Sequence, residues 1–122
     1  EASAKVAAEW LRDVGASERF IWTVERVILD TEKHVPSIRA SREVVDLDLW
    51  PIGTGDFWDQ APLIRAEFEH LSEELWAEGR SKWLRSMLDR EAIFVSGRVP
   101  GGMEATARAN LEKALEQLGG AP

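Results

Sequence analysis

The stretch "SERFIWTVERVILDTEKHVP", residues 17–36, decides the fold. Phe20, Val24, Val27, Thr31 and His34 recur at alternating spacings of four and three, which lines them along one stripe of an α-helix and along no single face of a strand. Ser17 stands where an N-cap hydroxyl would accept from the first turn, and Pro36 stands where the helix must stop.

The same period extends outward in both directions. Residues 2–14 put Val6, Ala7, Trp10, Leu11 and Val14 on one face, and Gly15 ends them. Downstream, "SREVVDLDLWPIG" (41–53) makes a short helix closed by Pro51 and Gly53. Residues 56–70 carry Phe57, Ala61, Ile64 and Phe68 on a stripe, with Pro62 near its start or at a kink. Ser72 caps a helix running to about Arg90, and residues 103–118 turn Met103, Ala107, Leu111, Leu115 and Leu118 inward. "AIFVS" (92–96) is the one candidate extended segment. The class is therefore all-α, a bundle of about five or six helices in a single domain over residues 1–122.

Composition narrows the function. The chain has 122 residues and a net charge of −7, with its basic residues scattered, which disfavours non-specific nucleic-acid binding. No apolar run approaches the ~20 residues of a membrane span. There is no cysteine, so disulfides and thiolate chemistry are excluded, in keeping with the cytoplasm. The six tryptophans sit mostly on helical stripes and read as core.

Asp46 and Asp48 stand two apart in an apolar run, and on a helix they point about 200° apart. Asp48 has Val44 and Val45 behind it and Ile52 ahead, so it is the expected inward acid. Asp46 follows Arg42 and Glu43 and is expected at the surface, paired with Arg42. An inward carboxylate needs a cation, a metal or several donors, which leaves a structural pair and a metal or catalytic site both open. His34 continues the Val27–Thr31 stripe, and Arg80 is surrounded by Trp76, Trp83, Leu84 and Met87. A guanidinium there suits either a core acid or a phosphate in a cleft. Asn110, between Ala107 and Ala114, is expected to satisfy a buried loop, and Arg65 is expected to pair with Glu69.

Several segments together resemble one family, the predicted metal-dependent phosphohydrolases of the HD superfamily. "EASA" (1–4) resembles the end of that family's N-E-E-x-S-A helix start, and "ILDTEKH" (28–34) its I-x-x-T-x-x-H segment. "VVDLDLWPIG" (44–53) resembles F-L-D-A-D-L-x-x-L-G, and "LIRAEFEHL" (63–71) resembles I-R-x-E-Y. "LWAEGRSKWLRSMLDR" (75–90) and "ATARANLEKALEQL" (105–118) resemble its G-R-x-x-(V/L)-L and A-R-A-N-L segments, in the same order.

The resemblance implies a divalent metal held by a His, a His-Asp pair and a later Asp, acting on a small phosphorylated substrate. Asp48 is the implied metal ligand, and His34, Arg65 and Arg80 the implied catalytic residues. Neither His34 nor His70 is followed by Asp, so the chain is expected to be the C-terminal portion of an HD-type protein, inactive and metal-free by itself. The alternative is a non-catalytic helical binding or assembly module. On the first reading, with the helices that would cover them missing, Phe20, Val24, Val27, Val44 and Val45 are expected to line an open apolar groove. Such a groove favours self-association or a second chain supplying the missing helices.

Overall fold

The structure is a computed structural model that describes residues 2–119; Glu1, which opens the first family-like segment, lies outside them. Among the described residues the chain is all-helical: α1 Ala2–Asp13, α2 Glu18–Lys33, α3 Ser41–Leu49, α4 Asp56–Glu67, α5 Glu73–Leu88 and α6 Met103–Gln117, with a 3-10 turn at Trp50–Gly53. None of these helices is long and apolar enough to cross a membrane. The chain divides into two compact units. One comprises residues up to Leu49 together with Val95–Arg98, and the other comprises Trp50–Phe94 and Val99 onward.

In the first unit the helix ends fall where capping chemistry puts them. The Phe20 N–H donates to Ser17 Oγ at 3.2 Å, and α1 gives way at Gly15, whose φ of 83° is costly for any residue with a Cβ. The packed faces differ from the expected ones. α1 lies against α2 through Ala4 and Ala8, both buried, while Val6 and Val14 are exposed and Trp10 is 64% exposed. Small side chains four residues apart let two helix backbones approach closely, and bulky ones are turned aside. On α2, Ile21 is fully buried and Phe20 is exposed, so the contact face lies one residue round from the expected stripe. Val24 and Val27 are half-buried. Of the anticipated groove, Phe20 and Val44 are open, whereas Val45 is sealed inside.

The aspartates of α3 are reversed. Asp46 is buried, 2% exposed, and Asp48 is exposed. The inward face is set by Ser41, Val45 and Leu49, all buried, and Asp46 lies between the last two. Val44 and Val45 straddle the edge of that face, so their proximity to Asp48 was no guide to it. Asp46 is not paired with Arg42. Its two oxygens accept the N–H groups of Val95 and Ser96, each at 2.9 Å.

The second unit is built on α6. Met103, Ala107, Leu111 and Leu115 are buried in one stripe, joined by Leu84 and Met87 of α5. The 3-10 turn lies so close to α6 that a Cβ on Gly53 would meet Met103 Cγ at 2.6 Å. Asn110 satisfies this turn as expected: its Nδ2 donates to the carbonyls of Ile52 (2.9 Å) and Thr54 (3.2 Å), and its Oδ1 accepts from Trp58 Nε1 at 3.2 Å.

"AIFVS" is not a strand. With no strand beside it, the N–H groups of Ile93 and Phe94 donate to the Glu104 carboxylate, and Arg108 donates to the carbonyls of Leu88 and Arg90. The tryptophans are not core either. Trp10 and Trp22 are exposed, and the other four are half-buried. Aliphatic side chains, Met87, Met103, Phe57 and Phe94 fill the interior instead.

The burial of Asp46 generates a direct expectation. Asp46→Ala strands two N–H donors and should lower the free energy of unfolding by about 3 kcal/mol. Asp48→Ala should cost less than about 1 kcal/mol, as partly exposed ion pairs do. Urea denaturation of both variants is the measurement.

Candidate functional site

The residues singled out in the sequence fall into two groups, one in each unit. In the first unit α2 ends at His34, whose φ of 54° is left-handed and whose N–H bonds to the Asp30 carbonyl. A non-glycine residue in this conformation stores on the order of 1 kcal/mol, and histidine is among those that tolerate it. The turn brings His34 Nδ1 to 3.0 Å from Asp48 Oδ2. These two residues, distant in the sequence, therefore meet on the outer side of α3.

Beside it lies an acid that sequence reasoning passed over. Asp30 is buried and accepts the Ser37 N–H at 2.7 Å and the Ser37 hydroxyl at 2.8 Å. Burial alone would raise its pKa. The Ser41 hydroxyl, the two Ser37 donors and the charge of Arg26 outweigh that and hold it below the usual carboxylate value. The fully buried Ser41 hydroxyl completes no hydrogen bond of standard geometry among the described residues. The available signal was an acid followed at Ser37 and Ser41 by hydroxyls, across a Pro-containing turn.

These residues do not fit the implied metal. A catalytic divalent ion needs about three protein donors around open positions. Asp48 has one neighbouring donor, His34, already at ion-pair distance from it. Among the described residues no group of three or more His, Cys, Asp or Glu side chains converges to hold an ion. Helical spacing made Asp48 the inward acid and the resemblance made it the ligand; the outward turn of α3 removes the first of these arguments.

Arg65 and Arg80 belong to the second unit and do come together there. α4 ends at Glu67, so Glu69 is off the helix and does not pair with Arg65. Instead the Arg65 guanidinium caps α4 and its following turn, donating to the carbonyls of Phe68 (2.8 Å) and Leu71 (3.2 Å) and to Glu73 (2.9 Å). Its carbon stands 5.2 Å from the centre of the Trp76 ring.

Arg80 approaches the same ring at 5.8 Å and the Trp83 ring at 4.5 Å. Helical spacing produces this order: Trp76 precedes Arg80 by four residues and Trp83 follows it by three, so all three share one face of α5. Arg65, Trp76, Arg80 and Trp83 thus form a ladder of alternating cations and indoles.

The two arginines differ in one respect. Arg65 has a carboxylate and two carbonyls. Arg80 is half-buried, and among the described residues no carboxylate or carbonyl accepts from it. Burial pushes its pKa below the ordinary arginine value, though a guanidinium stays charged at neutral pH. Two hollows open beside it. One, of about 120 Å³, is lined by Phe57, Ala61, Leu84 and Leu118 among others. The second, of about 330 Å³, is walled by Phe68, Leu75 and Trp83 and floored by α5 at Gly79.

Comparison with family models, with curated proteins and with solved structures returns no match. The functional reading stands on these residues alone.

The depressed pKa of Asp30 has a stability consequence with a definite sign. A group whose folded pKa lies below its unfolded value stabilises the fold above the unfolded value and loses that contribution as pH falls through the folded one. The stability advantage of the wild type over Asp30→Asn should be level from neutral pH to near 3.8, the ordinary value, and shrink below it. Chemical denaturation of both proteins between pH 7 and 2.5 measures it.

Proposed function

We propose that this chain is a non-catalytic helical binding module that captures an anionic ligand at Arg80. One observation carries the reading. In a protein of net charge −7, a half-buried guanidinium is held between two indoles with no acid paired to it among the described residues.

Removing a charge from water is costly, and folded chains normally compensate with a counter-charge or carbonyls. Here the compensation is the ring quadrupoles of Trp76 and Trp83, worth about 0.5–2 kcal/mol each. They stabilise a cation while leaving the in-plane N–H donors available. A guanidinium offers five such donors in a rigid fork that matches the two oxygens of a carboxylate or phosphate. The partly enclosed setting strengthens that pairing relative to open water. Arg65, already anchored to the backbone, adds a second positive charge and also lies over the Trp76 ring. The half-burial of Trp58, Trp76 and Trp83 supports the same reading, since tryptophan favours recognition surfaces where one part stays apolar and another meets polar partners.

Binding of inorganic phosphate or acetate should change the indole emission, because two tryptophans adjoin the cation that receives the anion. Titration should give saturable quenching or enhancement in the wild type. Arg80→Met, which keeps the apolar stem and removes the fork, should weaken binding at least about tenfold, the loss of one charge-assisted pair. Arg12→Met, altering an exposed arginine far along the sequence, should leave it unchanged. Equal binding by wild type and Arg80→Met would overturn the assignment.

A further inference from the structure

Gly79 is the seventh residue of the sixteen-residue helix α5. Glycine in a helix interior costs about 1 kcal/mol relative to alanine. Glycines kept there usually permit a close approach that a Cβ would block, as Gly53 does against Met103. Gly79 has no such neighbour: a Cβ built on it would meet nothing within 4 Å. The protein's own packing therefore gives no reason for glycine at this position. What the missing side chain does leave clear is the floor of the 330 Å³ hollow, immediately before Arg80.

The walls of that hollow match its floor in chemistry. Phe68 and Leu75 are exposed, large and apolar, and Trp83 closes the side next to the guanidinium. Its volume lies at the lower end of the range for small-molecule sites, about 300–1,000 Å³. An anion alone would leave this apolar surface in contact with water.

Resting on the assignment of Arg80 as the anion-binding group, we propose that the ligand is an amphiphilic acid. Its carboxylate or phosphate meets the Arg80 fork, and its flat or short apolar body lies against the bare backbone at Gly79, between Phe68, Leu75 and Trp83. Gly79 is then a specificity-determining residue: it gives up helix stability so that an apolar group can lie flat on α5.

The test uses the whole chain and two series of probes, acetate to benzoate to naphthoate, and inorganic phosphate to phenyl phosphate to naphthyl phosphate. Binding is followed by tryptophan emission and checked by calorimetry. In the wild type each added ring should tighten binding severalfold, in one series or both, and the stronger series identifies the head group. Gly79→Leu should raise the midpoint of thermal unfolding, because leucine favours the helix and the space is open. It should also remove at least about tenfold of the affinity for the ringed probes while leaving acetate or phosphate binding intact.

A more stable protein that has lost only the apolar increment is an outcome that damage to the fold does not produce. If acetate or phosphate binds through Arg80 but added rings contribute nothing, or Gly79→Leu binds the ringed probes as the wild type does, the amphiphile proposal fails and the anion site remains. If no probe binds in an Arg80-dependent way, both fail together.

Discussion

A peptide N–H withdrawn from water must find an acceptor, and residues 93–96 have no strand beside them. Their four consecutive N–H groups are met by carboxylates instead: Glu104 takes Ile93 and Phe94, and Asp46 takes Val95 and Ser96. Much of the rest follows from this constraint. It requires Asp46 to face inward, which sets the rotation of α3 and turns Asp48 outward towards His34. In the second unit it places Glu104 in the first turn of α6, where a negative charge also suits the helix dipole. Arg108, one turn later, bonds Glu104 at 3.0 Å and takes up carbonyls of the segment after α5. An irregular segment is thereby held by three charged side chains in place of a β-ladder.

This arrangement explains how much was legible in the sequence. Helix existence and ends depend on neighbours within a turn, and Ser17, Gly15, Pro36 and Ser72 marked them within a residue or two. The stripe of α6 was equally plain, because its apolar residues leave one choice of face. Rotation of α1 and α3 was not legible. α1 is apolar around more than half its circumference, and Ala4 and Ala8 define the contact by being small, whereas a reading by hydrophobicity ranks Val6, Trp10 and Val14 above them. For α3, the donors that decide between Asp46 and Asp48 lie about fifty residues away, beyond any local pattern. The same is true of Glu104 and the apparent strand: β-branched and aromatic residues suggested an extended segment, and the extended backbone found side-chain acceptors.

The candidate site was partly legible for the same reason. Trp76, Arg80 and Trp83 share a face by helical spacing alone, so their association was visible in the sequence, and only the depth of the tryptophans was misjudged. The contribution of Arg65 needed α4 to stop at Glu67, two residues before the acid to which the sequence had matched it. Asp30 and Gly79 carried local signals, a pair of downstream hydroxyls and a glycine inside a strong helix. Each became informative only once its surroundings were known.

What separates the two polar groups is how far each has been satisfied from within the chain. Asp30 accepts from two donors of Ser37, with the Ser41 hydroxyl and the charge of Arg26 also lowering its pKa; such a cluster stabilises a turn and has little capacity left for a ligand. Arg65 is likewise engaged within the chain, by one carboxylate and two carbonyls. Arg80 is the exception: it lies over the Trp76 and Trp83 rings, and among the described residues no carboxylate or carbonyl accepts from its N–H edge. A chain selected for stability alone would place an acid opposite that edge, or replace the arginine by an apolar residue of similar size, which is commonly neutral or stabilising. It would also fill Gly79. Neither has happened, and the two departures lie at adjacent positions on one turn of α5, opening into one hollow. Independent losses of stability would be scattered over the fold. Their coincidence at one place is what supports the proposal that a ligand completes this surface.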